Sequence, residues 1–203
     1  KARQPVSDTL LAALDMDPIT TGAVCVYHEM IPAARDASSG TNIPIAAVST
    51  GFPAGLSPFA LRVKEIEASV AAGAKEIDIV ITRGHVLTGN WQALYDEIKA
   101  FRTACKDAHL KTILGTGELV TLRNVAKASM IAMMAGADFI KTSTGKESVN
   151  ATLPVSLIMG RAIRAYGEMT GYKIGYKPAG GISAAKDILN YQILMKEELG
   201  NDW

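Results

Sequence analysis

Hydrophobic and polar residues along this chain alternate between short β-branched runs and longer amphipathic stretches. A helical periodicity covers residues 29–38, 58–72, 91–108, 121–135 and 153–170, and a last helix is expected over 183–199. Strands that alternate with helices in this way indicate parallel βαβ units. The six runs that predict strands are Ala23–Tyr27, Ile43–Ser49, Glu76–Thr82, Lys111–Thr116, Asp138–Ser143 and Lys173–Pro178.

Two architectures are built from such units: an open doubly wound sheet and a closed barrel. No Gly-x-Gly-x-x-Gly pattern follows the first strand, which argues against a dinucleotide-binding sheet. Polar residues cluster at the carboxyl ends of several predicted strands, where barrel enzymes carry their catalytic groups. We therefore expect an α/β fold of the TIM (β/α)8-barrel type, as one domain over residues 1–203, with six of the eight βα units visible.

Composition and charge narrow the classes of partner. The 203 residues include 21 Lys and Arg against 20 Asp and Glu, so no basic stripe predicts a nucleic-acid partner. No apolar run approaches the roughly 18 residues that span a bilayer, and we expect a cytoplasmic protein without a membrane partner. Cys25 and Cys105 are too few for a disulfide framework and are expected as buried thiols. The histidines lack metal-ligand spacing, so no metal site is expected.

The segment Asp138–Lys146 carries the first candidate for chemistry. Period-two alternation places Ile140 on the helix-facing side of its strand and Lys141 in the barrel interior. A lysine is costly there unless it is neutral or paired, and a neutral amine is what attack on a carbonyl requires. The alternative is a lysine that pairs with a nearby carboxylate or reaches solvent.

Two further residues are predicted to point into the same interior. Lys177 alternates with Tyr176 and faces inward on the neighbouring strand. Two neighbouring ammonium groups repel each other, so one loses its proton at lower pH and becomes nucleophilic near neutral pH. The alternative is two unrelated structural lysines. Asp78 also faces inward, because the isoleucines on either side of it face the helices. A buried carboxylate needs a charged or hydrogen-bonding partner, which Lys141 or Lys177 could supply. Asp78 could also pass protons through a water, or form a purely structural ion pair.

Glycine-rich turns follow both lysines and indicate a binding site for a phosphate group. Exposed backbone amides with a helix N-terminus behind them form an anion site. Cys25 alternates to the inner side of its strand, so it lines the pocket or is simply a small core residue. The turn residues in question are Thr144, Gly145, Lys146, Gly180 and Gly181.

These motifs resemble the deoxyribose-phosphate aldolase family. The resemblance rests on Asp138–Lys146 with the following Val149–Thr152, on Gly175–Gly181 and on Glu76–Val80. It extends along nearly the whole chain and is closest to the eukaryotic branch. It implies a barrel without metal or cofactor that acts on a small phosphorylated sugar, and it leaves a homo-oligomer open.

The resemblance also implies a role for each candidate residue. Lys141 would form the Schiff base, Lys177 would favour its uncharged form, and Asp78 would belong to the proton relay. The enzyme would cleave 2-deoxy-D-ribose 5-phosphate to D-glyceraldehyde 3-phosphate and acetaldehyde, and would catalyse the reverse aldol addition. The matched substrate and phosphate residues are Cys25, Thr144, Gly145, Lys146, Gly180 and Gly181.

The sequence departs from the family pattern at three places. Members begin with a strand that nothing before Ser7 matches, and they end with a strand and a phosphate loop beyond the helix Ala184–Leu199. Ser183 stands where many members carry a basic residue. We therefore expect a chain lacking the first and last barrel strands, with two exposed sheet edges. Two alternatives remain open: a Schiff-base lyase for another carbonyl compound, and an inactive or partner-binding barrel fragment.

Overall fold

A computed structural model describes residues 7, 9, 21–201 and 203. Five of its strands lie within the predicted runs, and the sixth, β4, overlaps its run. All six strands are parallel and follow one another in chain order. The sheet curls into part of a barrel, with helices on its outer face. The strands are β1 Val24–Val26, β2 Ile45–Ser49, β3 Glu76–Val80, β4 His109–Ile113, β5 Phe139–Lys141 and β6 Gly175–Lys177.

The predicted helices are present between the strands. Asn90 Oδ1 accepts a hydrogen bond from the Ala93 amide at 3.2 Å, and Thr121 Oγ1 accepts one from Asn124 at 3.1 Å. Both caps were expected from the sequence, because these side chains satisfy amides that a helix start leaves free. The helices are α1 Ile31–Ala37, α2 Phe59–Ala71, α3 Arg83–Leu87, α4 Trp91–Cys105, α5 Leu122–Met134, α6 Leu153–Thr170 and α7 Ala185–Leu199.

Two details differ from the sequence prediction. The short helix α3 was not predicted, because its five residues are fewer than two turns and include Gly84. Strand β4 begins at His109, two residues before the predicted start, and ends at Ile113. Gly115, with φ of +67°, then turns the chain into a 3-10 turn over Thr116–Glu118. Lys111 consequently lies in the middle of β4 rather than at its beginning.

The core lies between the sheet and the helices. Ile77 and Ile79 on β3 and Ile140 on β5 are fully buried in this layer. The Tyr176 hydroxyl on β6 lies 2.5 Å from Ser156 Oγ on α6, so Tyr176 also faces the helices. The alternation predicted for β3, β5 and β6 is therefore confirmed. The residues between these positions project into the barrel.

One side of the described fold leaves apolar surface exposed. Among the described strands, β1 and β6 each pair with a single neighbour. Beside β6, helix α7 exposes Ile188, Leu189 and Ile193. A groove of about 680 Å³ separates α7 from Tyr176 and Trp203. In the described part of the chain, no helix has both the length and the apolar character needed to cross a bilayer.

Candidate active site

Asp78 is the centre of the polar cluster inside the barrel. Its side chain on β3 is completely buried, with Oδ2 2.6 Å from Lys141 Nζ and 3.7 Å from Lys177 Nζ. Its other oxygen, Oδ1, lies 3.5 Å from Lys111 Nζ. The structure therefore brings together the three residues proposed from the sequence for catalysis and adds a third lysine.

Lys141 is nearly enclosed by the protein. Its side chain at the end of β5 is 7% exposed, and its Nζ donates a hydrogen bond to Asp78 Oδ2. The alternative of a lysine that reaches solvent does not fit this burial, whereas a carboxylate partner is present. Two residues further on, Ser143 is also buried, and its hydroxyl has no hydrogen-bond partner in the described structure.

Lys177 lies directly beside Lys141. The two residues are register partners on adjacent strands β5 and β6, as the count of strands in the sequence predicted. The Lys177 side chain is 34% exposed, so its amine is better solvated than that of Lys141. The two amines share the same carboxylate oxygen of Asp78.

The charges around Asp78 control its protonation. Burial alone would raise the pKa of this carboxyl group, because it disfavours the charged form. The ammonium groups of Lys141, Lys177 and Lys111 outweigh burial and lower the pKa below its ordinary value of 3.8. Asp78 is therefore a carboxylate at neutral pH and can accept a proton only transiently.

Lys111 and Glu76 form a second buried pair that the sequence analysis did not identify. Lys111 Nζ donates a short hydrogen bond to Glu76 Oε2, and both side chains are less than 10% exposed. Lys111 faces Asp78 as its register partner on β4. Period-two alternation with Leu110 and Thr112 would have placed Lys111 inward, had the strand been predicted to begin at His109.

An aromatic ring covers the Lys111 ammonium. Lys111 Nζ lies 5.3 Å from the centre of the Phe139 ring, within the range of a cation–π contact. Phe139 finds room because its register partner on β6 is Gly175. A Cβ atom on Gly175 would overlap with carbons of the Phe139 ring.

Cys25 reaches the same cluster from β1. Its Sγ lies 3.8 Å from Asp78 Oδ2, as expected for an inward-facing residue. The pKa of the thiol is raised, mainly because surrounding protein atoms exclude water and secondly because the Asp78 carboxylate is negative. Both effects favour the neutral thiol. The prediction of two buried thiols is correct for Cys105 and wrong for Cys25, which is exposed on the outermost described strand.

The two glycine turns lie against each other. A Cβ atom on Gly145 would be 3.8 Å from the Cα of Gly180. Gly180 and Gly181 adopt φ angles of +88° and +80°, a region that favours glycine. Within the described residues, the amides of Gly180 and Gly181 make no hydrogen bond, so they can donate to an anion. Helix α7 begins shortly afterwards, at Ala185, without a side-chain cap.

Several hydrogen-bond donors of the turn after Lys141 are already bonded within that turn. The Thr144 amide and hydroxyl both donate to Glu147 Oε1, at 3.1 and 3.0 Å. The Lys146 amide donates to Thr144 Oγ1 at 3.1 Å, while the Lys146 side chain is exposed. Glu147 thus holds the loop in shape and places a negative charge beside it. The sequence prediction of a phosphate turn did not include this carboxylate.

Thr142 joins the ends of β5 and β6. Its hydroxyl accepts a hydrogen bond from the Ala179 amide at 3.0 Å and lies 3.3 Å from the Ala179 carbonyl oxygen. Its amide donates to the Lys177 carbonyl oxygen at 3.1 Å. These contacts fix the backbone immediately after Lys141 to the backbone around Lys177.

The donor set of the cluster consists of amines and carboxylates. In the described ranges, no three His, Cys, Asp or Glu side chains come together in a way that could hold a metal ion. The arrangement can support attack by an amine on a carbonyl, with a carboxylate and a second amine at hand for proton transfer.

Comparisons with known proteins agree with this geometry. The curated deoxyribose-phosphate aldolase of Homo sapiens is 60% identical over all of this chain, which spans 65% of that relative's length. The crystal structure of a putative deoxyribose-phosphate aldolase from Coccidioides immitis has a TM-score of 0.79 at 25% identity, covering 93% of this chain and 73% of that one.

A further structure supports the fold alone. It is described as the unique tetrameric structure of deoxyribose phosphate aldolase from Aeropyrum pernix, and it matches with a TM-score of 0.69 at 19% identity. That match covers 93% of this chain and 91% of the other. The model of the DeoC/LacD family aldolases matches residues 9–192. The chain therefore belongs to the DeoC/LacD family of aldolases.

Proposed function

We propose that this chain carries the catalytic centre of a deoxyribose-phosphate aldolase that uses Lys141 as its Schiff-base amine. The observation that carries the proposal is the buried Lys141 Nζ, bonded to Asp78 at 2.6 Å with Lys177 on the adjacent strand. An inward amine at the carboxyl end of a barrel strand is well placed for catalysis. The 60% identity to a curated deoxyribose-phosphate aldolase supports the choice of reaction.

The first half of the proposed reaction forms an imine. The neutral Lys141 amine attacks the aldehyde carbon of open-chain 2-deoxyribose 5-phosphate and gives a carbinolamine. Loss of water, with a proton supplied to the departing hydroxyl, leaves an iminium ion that can accept an electron pair. Lys177 is the nearest exposed ammonium group and is suited to donate that proton.

The second half breaks a carbon–carbon bond. Removal of the proton from the substrate 3-hydroxyl moves the electrons of the C2–C3 bond toward the iminium, which releases glyceraldehyde 3-phosphate and leaves an enamine. Asp78 can take that proton through a water and pass it to Lys177. Protonation of the enamine at C2 and hydrolysis of the resulting iminium release acetaldehyde and free Lys141.

The paired glycine turns are the proposed site for the substrate phosphate. The amides of Gly180 and Gly181 make no hydrogen bond among the described residues, and the neighbouring turn carries the exposed Lys146. Thr144 and Gly145 shape the facing loop, and Cys25 lies beside Asp78 at the edge of the pocket. No cofactor has a role in the proposed mechanism.

Borohydride trapping tests the proposal directly. The protein is incubated with acetaldehyde and borohydride, and the modified residue is identified by peptide mass spectrometry. We expect a reduced adduct on Lys141 and none in Lys141→Arg, which keeps the positive charge but loses the nucleophile. An unmodified Lys141 would support the inactive or partner-binding alternative instead.

A second candidate is a Schiff-base lyase that acts on a carbonyl compound without a phosphate. The engagement of the Thr144 and Lys146 amides within their own loop, and Ser183 after the second turn, favour it. Cleavage assays with 2-deoxyribose and its 5-phosphate separate the two. A clear preference for the phosphate ester supports the first proposal, and equal rates support the second.

We propose the cytoplasm as the place of action and a homo-oligomer as the assembly. The assembly is proposed because the structurally similar Aeropyrum pernix protein is described as tetrameric. Light scattering after size-exclusion chromatography measures the mass of the particle. A monomer of 21.5 kDa would contradict the proposed assembly.

A further inference from the structure

The Lys111–Glu76 pair lies beside the reactive groups and is not explained by the proposed chemistry. Lys111 is 4% exposed, and it contacts both carboxylates of the interior, Glu76 and Asp78. The Phe139 ring covers it on a further side. A charged side chain is rarely buried so completely unless its charge is matched by partners. Lys111 is therefore held as a fixed cation inside the barrel.

Counting the charges of the interior suggests what this cation does. Glu76 and Asp78 contribute two negative charges, and Lys111, Lys141 and Lys177 contribute three positive charges when all are protonated. Among the described residues, these charges balance only when one of the three amines has lost its proton. Without Lys111, two carboxylates would match two ammonium groups, and Lys141 would be held in its charged, unreactive form.

The environments of the three amines differ in how well they support a positive charge. Lys111 has two carboxylate partners and an aromatic ring. Lys177 is 34% exposed, so water can solvate its charge. Lys141 is 7% exposed, and its one carboxylate partner in the described structure is the Asp78 oxygen that Lys177 also approaches. Burial without a carboxylate of its own makes Lys141 the amine whose charge is least supported.

No other titratable side chain of the described barrel interior alters this count at neutral pH. On β1, Cys25 is a neutral thiol, since burial and Asp78 raise its pKa. The inward residues Ala46 and Val48 of β2 carry no charge. His109 lies at the lower end of the cluster, 3.9 Å from Glu76, with its side chain 60% exposed to solvent.

We propose that Lys111, anchored by Glu76, is a positioning residue whose fixed charge frees Lys141 to stand as a neutral amine. This proposal rests on the proposed function only in naming Lys141 as the nucleophile. It assigns Lys111 no contact with the substrate. Lys111 acts through Asp78, because its Nζ lies 3.5 Å from Oδ1, whereas the other two lysines approach Oδ2.

Single and double substitutions of the pair give opposite expectations. Lys111→Met removes a positive charge, so the pH profile of Lys141 reactivity should move to higher pH by about one unit. Glu76→Gln removes a negative charge, so Lys141 should react at lower pH by a similar amount. The double variant Glu76→Gln/Lys111→Met restores the balance, and its pH profile should return toward that of the unaltered chain.

The reactivity of Lys141 can be measured without any aldehyde. Brief acetylation with acetic anhydride across a pH series, followed by peptide mass spectrometry, reports the fraction of neutral amine at Lys141. At a fixed pH below the midpoint, a shift of one unit appears as an approximately tenfold change in labelling. Lys75→Met is the matched control, because it removes the same side chain from an exposed position next to Glu76.

The outcomes separate this inference from the proposed function. The inference is supported if the pH profiles of Lys111→Met and Glu76→Gln shift in opposite directions and that of the double variant returns toward the unaltered chain. Lys111→Arg keeps the positive charge, so its profile should stay close to that of the unaltered chain. If Lys111→Met misfolds, the shift in Glu76→Gln alone decides between the outcomes. Profiles that stay in place, or move in the same direction in both single variants, overturn it. Absence of an acetaldehyde adduct on Lys141 overturns the proposed function, whereas the acetylation profile still tests the charge balance.

Discussion

Lys177 Nζ on β6 lies 3.7 Å from Asp78 Oδ2 on β3, although two strands separate them. In a flat sheet, strands three positions apart are separated by about 14 Å, because neighbours lie about 4.8 Å apart. The curvature of the sheet therefore turns the inward side chains of β3, β4, β5 and β6 toward one point. The convergence of these side chains is a property of the fold, and local sequence does not encode it.

The stability of the chain should depend on the charge of Asp78 at acid pH. The folded-state pKa is lowered below 3.8, so the unfolded chain binds the proton first as the pH falls. The stabilisation by this carboxylate is complete well above pH 3.8 and is lost as the pH falls through the folded-state value. Urea denaturation between pH 3 and 7 should show this loss in the unaltered chain, and Asp78→Asn should lack it.

Asp78→Asn should also be less stable at neutral pH. It leaves three lysines without their shared carboxylate, and loss of one partner of a buried ion pair costs about 3 kcal/mol or more. Asp36→Asn is the control, since Asp36 is 76% exposed in a surface pair with Arg35 and its loss should cost about 0.5 kcal/mol or less. Equal costs for the two variants would contradict the assigned role of Asp78.

Gly175→Ala should disturb the packing of the Phe139 ring that covers Lys111. The added methyl group would overlap with the Phe139 ring, and overpacking of this kind costs about 1–3 kcal/mol. Thermal unfolding measures the cost, and combination with Phe139→Leu should recover part of it. Gly22→Ala, where a Cβ atom meets no described atom within 4 Å, should leave the midpoint nearly unchanged.

Gly180→Ala should weaken use of the phosphate ester more than chemistry at Lys141. The new Cβ atom would lie 2.5 Å from Asn150 Cβ, at a φ of +88° that alanine adopts poorly. We expect KM for the 5-phosphate to rise about tenfold, equivalent to about 1.4 kcal/mol of lost binding. Acetaldehyde trapping, which needs no phosphate, should continue. Loss of trapping together with the rise in KM would show that the turn supports the whole pocket instead.

The two thiols should differ in reactivity toward iodoacetamide. Burial raises the pKa of Cys105 to about 12, and that residue is inaccessible, so it should remain unmodified in the folded chain. Cys25 is exposed but is held as a thiol by its surroundings and by Asp78, so its alkylation should become fast only above pH 9. Asp78→Asn should accelerate alkylation at Cys25, because the ammonium groups then act on the thiol unopposed.

The sequence predicts the strands and the inward direction of Lys141, Lys177 and Asp78, because an isoleucine or tyrosine marks the opposite face at each place. It does not predict Lys111 as readily. Thr112 and Ile113 at the end of β4, and Leu114 just after it, are all buried, which removes the contrast that reveals a period of two. The sequence also does not predict the contact between Lys177 and Asp78, three strands apart, because it depends on the curvature of the sheet. Nor does it predict the hydrogen bond from the Thr144 amide to Glu147, which depends on the folded shape of the loop.

The contacts of Thr142 with Ala179 and Lys177 have a mechanical consequence. One hydroxyl and one amide fasten β5 to β6 at the level from which both lysines project. The backbone positions from which the two lysine side chains extend are then held by one double-stranded support. A displacement of the backbone at the end of one of these strands is therefore expected to shift the end of the other strand with it.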